Sequence, residues 1–146
     1  MASEYSAYRD AYSIINPAPC PFEKAILTRC VTCTISEKHL LAERETINCR
    51  NLPDWRNCIE LRKILQTRAT FSLKLVKYPG EIPHGKEIKI QCGGLQGLQQ
   101  IIMGDIQLIN VAPLIHDALA RYGNLESFPY TEIARAVVHY HRARRK

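Results

Sequence analysis

No stretch of this chain comes near the ~20 consecutive apolar residues that span a bilayer, so no transmembrane helix is expected. The first twenty residues, MASEYSAYRDAYSIINPAPC, lack a charged segment followed by an apolar one. They therefore do not read as a secretory signal. They are not Arg-rich and carry Glu4 and Asp10, which argues against an organelle transit peptide. The expected compartment is a reducing cytoplasm. There is no G-x-G-x-x-G and no Walker lysine. Gly93-Gly94-x-x-Gly97 is the nearest approach to a phosphate loop, and it reads better as a tight turn with close packing. Catalytic constellations are missing as well. No Ser/His/Asp set or pair of carboxylates stands out, and His139 and His141 are two apart, on different faces of any helix. Cys92, just before two glycines, is the one candidate for a reactive thiol, and no His or acid is placed by sequence to activate it. The reading favours a non-enzymatic role. A ferredoxin-type C-x2-C-x2-C run is also absent.

What the chain does have is cysteine in one place. Of its 146 residues six are Cys, and five of these, Cys20, Cys30, Cys33, Cys49 and Cys58, lie in the first half. Their pattern is C-x9-C-x2-C-x15-C-x8-C. In a reducing compartment clustered thiols more often hold metal than form disulfides. An iron–sulfur cluster needs several converging thiolates, and Cys30-x2-Cys33 is the usual local pair. A structural zinc usually takes two such pairs, and here the second would be Cys49 with Cys58, or include His39. Buried reduced thiols remain a third reading, which suits Cys58 and Cys92. Spacing also sets a limit. A straight helix from Cys20 to Cys30 would separate their Cα atoms by ~15 Å, so a shared centre requires that helix to be short or bent.

The remaining sequence reads as a mainly α, single-domain helical bundle. Residues 1–19 form an arm and 20–146 the domain, with a cysteine-rich half at 20–76 and a helical half at 93–146. Cys20-Pro21 opens a short helix, and Val31–Thr34 is a turn. Ser36 then caps a second helix, SEKHLLAERE, ending near Thr46. A third and longest helix runs from Asn51 to about Leu73, with Trp55, Cys58, Ile59, Leu65 and Ala69 on one face. Alternation in Lys86–Cys92 predicts a strand, which with a partner near 106–109 would make a short hairpin within 86–109. Val111, Leu114, Ile115, Ala118, Leu119 and Tyr122 mark a helix stopped by Gly123-Asn124, and Tyr130, Ile133, Ala134, Val137 and Val138 mark another.

With 46% hydrophobic residues the chain is globular, and its net charge is +6. Most of that charge is at one end, where Arg135, Arg142, Arg144, Arg145 and Lys146 face only Glu132. Such a tail suits nucleic acid, anionic lipid or an acidic protein patch, or simply complements a helix C-terminus.

Two resemblances bear on the cysteines. C-x9-C and C-x8-C are similar to the twin CX9C arrangement of coiled-coil-helix-coiled-coil-helix proteins, which implies bridges Cys20–Cys58 and Cys30–Cys49. The second spacing here is eight, and Pro53 interrupts the helix that family would need. More of the chain, Cys20 to Leu75, resembles a group of small cysteine-rich proteobacterial proteins. The matching residues are Cys20-Pro21-Phe22-Glu23-Lys24-Ala25, the Cys30/Cys33 pair, Ala42-Glu43-Arg44-Glu45 before Cys49, and Cys58 before Leu61 and Leu65. This resemblance implies a bacterial, cytoplasmic protein whose five cysteines act together. The expectation is a [4Fe-4S] cluster, with zinc as the alternative, in a redox, electron-transfer or accessory protein. Phe22, Trp55 and Ile59 would shield the centre, and Arg142, Arg144, Arg145 and Lys146 would dock a redox partner or larger complex.

Overall fold

A computed structural model describes residues 16–72, 82–104 and 108–141. Its elements are α1 (Glu23–Leu27), β1 (Val31–Thr32), β2 (Ser36–Leu41), β3 (Arg44–Cys49), α2 (Leu52–Ser72), α3 (His84–Met103), β4 (Ile109–Asn110), α4 (Val111–Tyr122), a 3-10 turn (Leu125–Ser127) and α5 (Tyr130–His139). The chain is mainly α with one short antiparallel hairpin, as the sequence predicts. The hairpin, however, is β2–β3, not a feature of 86–109. None of the described helices is long and apolar enough to cross a membrane.

Two elements differ from the sequence expectation, each for a physical reason. The segment 86–92, expected as a strand, lies inside α3. This helix buries Glu87, Ile88, Ile90, Gln91, Cys92, Gly93, Gly94, Leu95, Gly97, Leu98 and Gln99, so apolar and small residues surround it on every side. A helix enclosed in this way loses the one-sided 3.6-residue pattern that would identify it. The segment expected as a helix over 36–46 is instead the hairpin, paired Ser36↔Cys49 through Leu41↔Arg44. Its two-residue turn uses Ala42 (φ 50°) and Glu43 (φ 69°), where Asn-Gly or Asp-Gly would announce a turn.

Those left-handed residues are strained at about 1–2 kcal/mol each. Ala42→Asn with Glu43→Gly should therefore stabilise the fold by about 1 kcal/mol or more, read as a raised denaturation midpoint. An unchanged midpoint would contradict the turn geometry.

The glycines of α3 form no phosphate loop; they allow α5 to approach. A Cβ at Gly97 would meet Ala136 Cβ at 2.6 Å, and one at Gly93 would meet Val137 Cα and Tyr140 Cβ, both at 2.9 Å. Gly85, in the first turn of the same helix, has nothing within 4 Å. Gly93→Ala and Gly97→Ala together should destabilise by about 1–3 kcal/mol through overpacking. Gly85→Ala should stabilise by up to ~1 kcal/mol through helix propensity alone. Thermal melts of the two variants moving in the same direction would exclude this packing account.

One buried polar network joins α1, α2 and α3. Glu87, 2% exposed, accepts from Arg62 Nε (2.9 Å), Gln66 Nε2 (3.1 Å) and Gln91 Nε2 (2.7 Å). Gln91 in turn donates to Pro21 O and accepts from Ala25 N. The segment that carries Cys20 is thereby fixed to the core helix.

Candidate thiol centre

Four cysteines from four separate segments line one small, largely enclosed cavity: Cys20, Cys33, Cys49 and Cys58. Each arrives by a different local device. Cys20 precedes α1 and is pinned to β3, its N–H donating to Ile47 O at 2.9 Å while Cys49 N–H donates to Ala18 O at 2.9 Å. This pairing orders residues 16–19, so the end of the expected arm is held, with Asn16 and Ala18 buried. Cys33 sits in the turn after β1, where Ser36 N and Oγ both donate to its carbonyl, at 3.1 and 2.7 Å. Cys49 ends β3, and the register Ser36↔Cys49 returns it beside the Cys33 turn. Cys58 lies on the buried face of α2, whose start is capped by Asn51 Oδ1 accepting from Asp54 N at 3.1 Å.

The hairpin solves the distance problem posed by the sequence. A helix over 36–46 would have carried the chain away from Cys33. Two six-residue strands bring Cys49 back to both Cys33 and Cys20. The α1 helix is indeed short, five residues ending at Leu27, and Arg29 just beyond it has φ 65°.

Burial dominates the electrostatics of these thiols. Burial pushes the Cys20 thiol up to about 12; Phe22 N–H opposes the rise, and Cys33 and Cys49 add to it. Burial also raises Cys58, with Cys20, Cys33 and Cys49 all contributing, and raises Cys49, with Cys33 and Asp54 contributing. Every pair among the four therefore interacts. A bound cation would stabilise the thiolate forms that burial disfavours.

Pro21, Ile35, Ser36, Trp55, Val111 and Ala112 complete the wall. Trp55 is held by Nε1 donating to Pro19 O at 2.8 Å. Of the three expected shields, Trp55 lines the cavity, Phe22 is wholly buried in the core, and Ile59 lines a neighbouring cleft. Val111 and Ala112 are contributions that the sequence did not signal. They come from the start of α4, more than fifty residues after Cys58, and only the fold brings them here. His116, on the same helix, bonds Asp54 of α2 at 2.6 Å and fixes the two helices together.

No family model, no curated protein and no solved structure matches this chain. The centre therefore rests on its own geometry.

The fifth expected ligand stands apart. Cys30 is bonded to Cys92 of α3, with Cα atoms 6.1 Å apart, which ties the end of the α1 loop to the core helix. Neither Cys20–Cys58 nor Cys30–Cys49 is bridged; Cys20, Cys33, Cys49 and Cys58 are free. Cys92 is also mid-helix and 1% exposed, so it has neither the helix N-terminus nor the access of a reactive thiol. His39 is paired with Glu37 on the hairpin at 3.5 Å. Arg142, Arg144, Arg145 and Lys146 lie outside the described residues. Among the described residues no three His, Cys, Asp or Glu side chains are drawn together as a ready site for a metal ion.

Proposed function

We propose that the chain is a cysteine-ligated metal protein, with Cys20, Cys33, Cys49 and Cys58 holding a [4Fe-4S] cluster in a redox or electron-transfer role. The observation that carries this reading is the gathering of four free thiols from four segments around one enclosed cavity. The donor set is all thiol, which suits an iron–sulfur cluster and equally a four-cysteine zinc site.

When bound, the cluster would supply one-electron chemistry at a potential set by its surroundings. The chain's own residues do the rest. The four cysteines hold, Trp55, Ile35, Val111 and Ala112 exclude water, and the backbone pairing of residues 18–20 with β3 fixes the ligand positions. Thiols so raised by burial are protonated until metal enters, so loading releases protons. An acidic protein surface is the partner that fits the basic residues Arg142, Arg144, Arg145 and Lys146.

A structural zinc is the second reading, and one observation favours it. The cavity measures about 20 Å³, room for a single water-sized body. On that reading the protein is a binding module, for a protein or for nucleic acid, with a folded core stapled by metal. Dithionite titration of the anaerobically purified protein separates the two. A cluster bleaches reversibly in the visible and transfers electrons to an acceptor. Zinc gives a colourless protein that takes up none.

A further inference from the structure

Beside the thiol cavity, and sharing Cys20, Pro21 and Trp55 with it, opens a cleft of about 430 Å³. That volume falls within the ~300–1,000 Å³ typical of small-molecule sites. One wall is a single face of α2, with Trp55, Ile59, Arg62, Lys63 and Gln66 at helical spacing. The other is the chain from Pro19 to Glu23.

The polar groups are disposed unequally. Arg62 donates Nε to the buried Glu87, which fixes the guanidinium and leaves its two η-nitrogens for another acceptor. Glu87 is itself held by Gln66 and Gln91, so the arginine is anchored to a rigid base. Lys63 stands next to it, exposed. Opposite them Glu23 has one carboxylate oxygen engaged by Ile47 N–H at 3.0 Å. Trp55 has spent its only donor on Pro19 O, so what it offers the cleft is apolar ring. Arg62, paired with Glu87 beneath it, and the cation of Lys63, unpaired among the described residues, stand against the committed Glu23 carboxylate above an apolar floor, and these match a specific ligand chemistry.

We propose that this cleft binds a small organic oxyanion: an apolar or aromatic body against Trp55, Ile59 and Pro21, and a carboxylate or phosphate on Arg62 and Lys63. A pre-fixed arginine fork suits either headgroup and loses little entropy on binding. The ligand would lie against Cys20, at the edge of the thiol centre. The inference does not depend on what that centre holds.

Calorimetric titration of the full-length protein with benzoate and with phenyl phosphate tests it. Trp55 is the only tryptophan in the chain, so its emission provides a second readout of the same site. Binding of either probe is expected, with a change in Trp55 emission, and the preferred probe identifies the headgroup. Benzyl alcohol, lacking the charge, should bind at least about tenfold more weakly, as should inorganic phosphate, lacking the ring. Lys63→Gln, on an exposed side chain that leaves folding intact, should weaken binding by about tenfold. Arg62→Lys, which keeps a cation for Glu87 but loses the fork, should do the same. Absence of heat and of any emission change with both probes at millimolar concentration would overturn the proposal. So would equal affinity in Lys63→Gln, or inorganic phosphate binding as tightly as phenyl phosphate.

Discussion

Cys58→Ser is expected to abolish metal binding, and Cys30→Ser to leave it intact while weakening the fold. This opposite pair of outcomes is the largest effect expected from the structure. Serine keeps the size of cysteine but is a far poorer ligand for soft metals. A centre that needs four thiolates should lose nearly all its metal when Cys20, Cys33, Cys49 or Cys58 is changed singly. Cys30 and Cys92 lie outside the cavity and are bonded to each other across 62 residues. Breaking that link should cost about 4 kcal/mol on a chain-entropy basis, visible as a lower denaturation midpoint with metal content unchanged. The panel is read by metal per chain and by chemical denaturation. Loss of metal in Cys30→Ser, or full retention in Cys58→Ser, would mean that the ligand set is wrong.

Arg62→Met should destabilise the protein by about 3 kcal/mol, the lower part of the range for stranding a buried charge. Glu87 would remain 2% exposed, with only the Gln66 and Gln91 amides to hold it. The pH dependence follows from the same group. Burial acts to raise the Glu87 pKa, but hydrogen bonds from Gln66, Gln91 and Arg62, with the Arg62 charge, overcome it and bring the value below the usual carboxylate range. A carboxyl with a lowered folded-state pKa stabilises the fold above its unfolded value, about 4.3 for Glu, and that contribution is lost as pH falls through the folded value. The wild-type protein should therefore lose stability in acid below the ordinary carboxylate range. Arg62→Met should show a weaker acid dependence together with lower stability at neutral pH. Denaturation midpoints at a series of pH values check both statements; an Arg62→Met protein as stable as wild type at neutral pH would rule out the network's role.

Much of the helical architecture was legible because it is one-sided. α4 buries Val111, Leu114, Ile115 and Ala118, and α5 buries Tyr130, Ile133, Ala134 and Val137, each a face of the expected series. α2 is helical over Leu52–Ser72, as expected, and Leu73 lies outside the described residues. α3 was not legible, because helices on several sides conceal its period and its glycines resemble a turn. The hairpin was hidden by a turn made from Ala42 and Glu43, and by a flanking sequence whose helix-forming residues are overridden by its pairing with Pro19 and Cys20.

The cysteine cluster was visible as a set but not in its membership. Cys30-x2-Cys33 was the strongest local signal, and the fold divides it. Val31 and Thr32 between them are extended, and in an extended chain residues three apart point to opposite sides. Cys33 therefore faces the cavity while Cys30 faces α3. The partner of Cys30 is 62 residues away, beyond any local pattern.

Iron, acid-labile sulfide and zinc per chain, measured on protein purified without oxygen, test the central claim most directly. About four irons with matching sulfide and a broad visible absorption are the predicted result. A colourless protein with neither iron nor sulfide, whether it carries one zinc or no metal, would contradict it.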